Sequence, residues 1–192
     1  TAAPRAPRRR FALRPLALAL AAGSLWSPPA GLSGEALAQT TPPAPPAALP
    51  SGLNVVNGRA RVVTSGKQMT VTNSAGSILN WQSFSIGQGN TVNFVQPSTS
   101  SVALNRVLGS DVSVIQGALN ANGQVFLINP NGVLFSPTAQ VNVGSIVAST
   151  LDLSNEDYLA GRYRFAGPST NAVINQGNIS VDSDGTAAFI AA

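Results

Sequence analysis

The residues best placed to do chemistry in this sequence are amides. Asn129-Pro130-Asn131-Gly132 lies between two apolar runs, Val125–Ile128 and Val133–Phe135. Pro130 sets φ for position i+1 of a type I turn, Asn131 tolerates position i+2, and Gly132 can take the left-handed conformation that completes the reversal. The Asn129 side chain can close an Asx turn over the same residues. A preorganised turn of this kind suits recognition or folding rather than bond making. Acid chemistry has one candidate. Asp182 and Asp184, two apart, would share a strand face and could mimic a calcium or glycosidase pair. Parallel β-helices include polysaccharide lyases, but no basic residue lies near Asp182 in the sequence. Glu156-Asp157 reads as a solvated loop. The chain has no His and no Cys, which removes imidazole catalysis, thiolate nucleophiles, zinc fingers and disulfides. The expectation is a protein that is not an enzyme and uses no metal and no cofactor.

The elements that must position these residues begin after a leader. Residues 1–38 hold five arginines, Arg5, Arg8, Arg9, Arg10 and Arg14, and one acid, Glu35. Residues 39–192 hold six bases and six acids, so the net charge of +4 belongs to the leader. Without clustered cations on the folded part, nucleic acid is not expected as a partner. The basic start, the short apolar run Pro15–Trp26 and the small residues Ala36-Leu37-Ala38 have the three-part order of a signal peptide, with cleavage expected before Gln39. Arg8-Arg9-Arg10-Phe11 also resembles a twin-arginine signal, and the leader alone leaves the general and twin-arginine routes open. The chain begins with Thr, so a few upstream residues are expected to precede it. Residues 39–50, QTTPPAPPAALP, form a Pro/Ala-rich tether that cannot pair in a sheet.

From Ser51 to Ala192 short alternating runs recur. They include Gln68–Thr72, Thr91–Val95, Gln124–Ile128 and Gln140–Val143, separated by turn formers such as Asn57-Gly58, Asn122-Gly123 and Gln176-Gly177-Asn178. This spacing suits either a sandwich or a parallel β-helix. Two features favour the all-β parallel β-helix: the turns are rich in Asn and Gly, and the outward positions are uncharged amides and hydroxyls. Stacked coils set like residues above one another, where neutral Asn, Ser and Thr can hydrogen-bond along the stack and like charges would repel. Leu151–Phe165, with its charged and aromatic residues, breaks the pattern and is expected as a hairpin or short helix projecting from the stack. Trp81 and Phe84, three apart, would lie on opposite faces of a strand, one in the core and one partly covered. The last residues are still strand-like, so the chain is expected to be truncated from something longer.

The run Gln124–Ser136, QVFLINPNGVLFS, followed by Val141–Thr150, VNVGSIVAST, resembles the secretion domain of two-partner-secretion exoproteins, the filamentous-haemagglutinin-like family. Asn80–Gly87 and Val102–Val107 resemble further family signatures in the same order, and the likeness runs from Leu53 to the end. The resemblance implies a right-handed parallel β-helix. It also implies a cognate outer-membrane β-barrel transporter whose periplasmic domains this N-terminal secretion domain engages. The exoprotein, an adhesin or haemagglutinin, would reach the periplasm by the general unfolded route, cross unfolded and fold at the Gram-negative cell surface. Asn129, Asn131 and Gly132, with Pro130, match the family's second motif, whose asparagines matter for secretion. The first motif of some members is absent. Asn105-Arg106-Val107 stands in its place, as in the large-adhesin branch, which brings in Asn105 and Arg106; the plain alternative for these two is a turn asparagine and a solvated arginine. A module that itself binds host glycans is the other expectation, and contact with the host-cell surface or its glycans would otherwise fall to the downstream part of the exoprotein.

Overall fold

The computed structural model describes residues 49–192. The expected signal peptide, its cleavage at Ala36, Ala38 and Gln39, and nearly all of the tether lie outside the described residues.

Two strands open the described chain, β1 (Asn54–Asn57) and β2 (Ala60–Ser65). Coils then follow one another. The first holds β3 (Gln68–Asn73) and β4 (Ser77–Trp81). The second holds β5 (Thr91–Val95), β6 (Val102–Val107) and β7 (Ser113–Ile115). The third holds β8 (Ala118–Ala121), β9 (Gln124–Ile128) and β10 (Val133–Phe135). The fourth starts with β11 (Gln140–Val143) and β12 (Ser145–Ser149). It is interrupted by β13 (Asp152–Leu153), a five-residue helix α1 (Asn155–Leu159) and β14 (Phe165–Ala166), and resumes with β15 (Val173–Asn175). β16 (Asn178–Val181) and β17 (Ala187–Ile190) begin a further coil. The result is a parallel β-solenoid of about four turns.

Its three walls are parallel sheets, in the orders β3-β5-β8-β11-β16, β4-β6-β9-β12-β17 and β7-β10-β15. Gln68, Thr91, Ala118, Gln140 and Asn178 stack as register partners, which fixes one column of the first wall. The alternation read in the sequence sorts side chains between core and surface. Val71, Val92, Leu119 and Val141 point inward and are buried, while Thr70, Asn93, Asn120 and Asn142 point outward. The outward amides bond along the stack: Asn120 Nδ2 donates to Asn93 Oδ1 at 2.9 Å and Asn142 Nδ2 to Asn120 Oδ1 at 3.2 Å. The coils must turn tightly between the first two walls. A Cβ on Gly144 would stand 2.9 Å from the carbonyl oxygen of Gly123 in the coil before it.

Two features depart from expectation. β1 and β2 are antiparallel to β4 and β3, so the first coil is capped by strands of opposite sense. The β2–β3 hairpin reverses at Gly66 with φ +56°, and Ser65-Gly66-Lys67 was a hairpin signal available in the sequence. The segment expected to project from the stack instead lies against it. Leu153 and Tyr158 are buried with Ile78, Leu104, Phe126 and Ile128 on the outer face of the second wall. Those four wall residues alternate with inward-facing neighbours, and the insertion removes from water an apolar face that would otherwise be exposed.

Candidate functional site

The turn at Asn129–Gly132 joins β9 to β10. Gly132 N donates to Asn129 O at 3.0 Å across the turn, and Gly132 has φ +116°, a conformation that favours glycine. Asn129 is fully buried. Its Oδ1 accepts from the backbone N and from the Nδ2 of Asn131, both at 3.0 Å. Its Nδ2 donates to Asp111 O and to Ser113 Oγ, both at 2.9 Å, in the coil before. Asn131 Nδ2 reaches Gly109 O in that coil at 2.7 Å. On the other side, Asn129 N donates to Ser149 O at 2.9 Å. The Pro130 carbonyl, on an exposed residue, accepts from Ser169 Oγ at 2.6 Å and Asn171 Nδ2 at 2.8 Å in the following coil. The turn therefore links three successive coils. Its partners lie 16 to 41 residues away, which no local reading of the sequence reveals.

Asn105 and Arg106 sit on neither a turn nor an open surface. Both lie in β6. Asn105 faces inward, fully buried, and its Oδ1 accepts from Trp81 Nε1 at 3.0 Å. Its Nδ2 donates to Ala103 O and Phe126 O, both at 3.3 Å. Trp81 and Phe84 are both buried, with rings 5.6 Å apart in an edge-on pair, because the chain bends after β4 and turns Phe84 back into the core. Arg106 faces outward beneath the insertion, its side chain only 12% exposed. It donates to Asp152 Oδ1 at 2.8 Å, to Asn155 Oδ1 at 2.9 Å and to the Leu153 carbonyl. One guanidinium thus holds three groups of the inserted segment, a use of its fixed fork of donors that lysine could not copy.

Tyr158 completes the attachment. Its hydroxyl lies 2.9 Å from Val102 O and 3.3 Å from Ser77 O, and burial pushes the phenol well above its ordinary value. Glu156 and Asp157 are not in a loop but open α1, where Ser154 Oγ accepts from Asp157 N at 3.1 Å. The hydrogen bond from Arg162, 2.8 Å away, holds the Asp157 carboxyl below the usual carboxylate range. Asp182 and Asp184 fall in the loop between β16 and β17, not on a strand face. Among the described residues no three His, Cys, Asp or Glu side chains are grouped as a metal site.

Comparison with known proteins places this architecture. A family model described as the TPS secretion domain matches residues 47–191. The chain belongs to that family, the secretion domains of two-partner-secretion exoproteins. The crystal structure of the HMW1 secretion domain from Haemophilus influenzae superposes with a TM-score of 0.68 at 36% identity, over 72% of this chain and 38% of that one. Two heme/hemopexin-binding proteins of Haemophilus influenzae are similar in sequence. One is 48% identical over 106 residues and the other 42% over 103, covering 55% and 53% of this chain. The matches span only 12% and 11% of those relatives' length. The family role is secretion of an exoprotein by a Gram-negative bacterium to the cell surface or beyond, with an outer-membrane transporter as partner, and it is not an enzyme class.

Proposed function

We propose that this chain targets a large exoprotein to its cognate outer-membrane β-barrel transporter, through the transporter's periplasmic domains, and nucleates β-helix folding at the cell surface. The observation that carries the reading is the bonding of Asn129-Pro130-Asn131-Gly132. Its donors and acceptors join the coil before it to the coil after it, so the turn is completed only as successive coils stack. A chain that crosses unfolded and emerges progressively would close these bonds one coil at a time. Each closure resists return through the transporter. The relatives named for heme/hemopexin suggest one kind of cargo for a complete exoprotein. The role assigned to this segment is export of such a passenger.

The direct test is a fusion of the chain to a passenger, expressed in a Gram-negative host with and without the cognate transporter. Passenger at the surface or in the medium only when the transporter is present supports the reading. Equal export without it, or export with any unrelated transporter, overturns it.

A further inference from the structure

Charge is distributed unevenly along the solenoid. Between Glu35 and Asp111 the sequence has no acid, while Arg59, Arg61 and Lys67 fall in that stretch. All three are exposed, and neither of the two ion pairs among the described residues involves them. Arg59 and Arg61 stand at the start of β2, where the capping strands meet the corners of the first two coils. There they border a groove of about 670 Å³, within the size range of ligand sites, together with Val55, Ala60, Asn73 and Pro97. The groove contains all the parts of a recognition site. It has two guanidiniums with no assigned anion and an apolar rim that includes Val55, 37% exposed. It also has Asn73, 4% exposed, whose Nδ2 is bonded to Ser74 O and Ser77 Oγ while its Oδ1 has no protein donor.

We infer that this corner groove binds an acidic polypeptide segment. Guanidinium forks match carboxylates in geometry and charge. The apolar rim matches side chains between the acids, and a peptide N–H is a donor of the kind the Asn73 carbonyl lacks. A peptide supplies the carboxylates, that donor and the apolar side chains for the rim along one extended strand, which a lipid headgroup does not. Arginines also protect open sheet edges from self-association. Edge protection alone requires no particular ligand, so binding measurements separate the two roles.

The test uses the 192-residue chain with Arg8, Arg9 and Arg10 replaced by Ala, which removes a competing basic cluster from every measurement. The probe is a fluorescent peptide of alternating Glu and Val, followed by anisotropy, with the Lys-Val counterpart and phosphatidylglycerol vesicles as comparisons. The Glu-Val peptide is expected to bind in a manner that weakens with salt, and the Lys-Val peptide is not. Arg59→Ala with Arg61→Ala is expected to cut affinity roughly tenfold, and Asn73→Leu to cut it further, with the thermal transition of each variant showing that it is folded. Equal affinity for both peptides, or unchanged affinity in the folded double variant, would overturn the inference. So would binding of the vesicles without the peptide. A folded double variant that self-associates and still binds the peptide would leave only the edge-protection role.

Discussion

At the scale of single residues, Asn129 and Asn131 differ in burial, and that difference makes the motif testable. Asn129→Ile leaves the buried Ser113 hydroxyl without its donor and breaks the bonds to the Asn131 backbone N–H and the Asp111 carbonyl. The expected loss is on the order of 3 kcal/mol, read from denaturant unfolding. Asn131 is only partly buried and bonds one distant carbonyl, so Asn131→Ile is expected to cost about 1 kcal/mol. If the turn acts by stacking coils, secretion through the transporter falls in the same order. Full loss of secretion in Asn131→Ile with little change in unfolding would show that the transporter reads the motif directly. Asn105 carries a similar prediction. Asn105→Leu leaves the buried Trp81 indole without its acceptor and should lower stability by about 2 kcal/mol, a change that equilibrium unfolding measures. That the Asn129–Gly132 segment forms a turn follows from local conformational preferences, and it was legible in the sequence. The partners of Asn129, and the inward aim of Asn105, depend on which coil lies beneath which. No pattern of neighbours states that.

At the scale of elements, the inserted segment from β13 to β14 is the part least like the rest of the solenoid. Its break in periodicity was legible, but its docking was not, because the face it covers is assembled from Ile78, Leu104, Phe126 and Ile128 of three different strands. Arg106→Met keeps much of the side chain's packing and removes its bonds to Asp152, Leu153 and Asn155. It should expose the insertion to limited proteolysis well before the coils are cut. Tyr158 adds a pH dependence whose sign follows from its burial. The folded phenol titrates above the unfolded value near 10, so its contribution is complete below that pH and declines as pH rises beyond it. Alkaline release of the insertion, followed by the same proteolysis, should be seen in the wild type. Tyr158→Phe has no ionisable group there and should lose this alkaline step, at the cost of the bonds to Val102 and Ser77.

At the scale of the whole molecule, the solenoid is held by repetition of one register, and the Asn93–Asn120–Asn142 ladder is its outward record. Strands stack about 4.8 Å apart, so charges placed in one row cannot avoid each other. Replacing all three by Asp should leave the fold near its original stability in acid, where the carboxyls are neutral. Above about pH 5 the midpoint of thermal unfolding should drop as like charges form along the row. The change would be followed by circular dichroism across pH. Any one of the three replaced alone meets no like partner in the row and should show a much smaller effect. A triple variant as stable at neutral pH as in acid would mean that the row is solvated and carries no strain.

The sequence by itself determined the class of the fold, since alternating apolar residues, uncharged outward amides and Asn-Gly turns are local properties that each strand carries alone. It also marked the turn at Asn129–Gly132 and the break at Leu151–Phe165. Tertiary structure alone decided the antiparallel pairing of β1 with β4, the burial of Asn105 and Phe84, and the clasp of Arg106 on the insertion. The physical reason is distance along the chain. The hydrogen bonds of Arg106 and Tyr158 span 46 to 81 residues, and they form only after the coils between them have chosen their register.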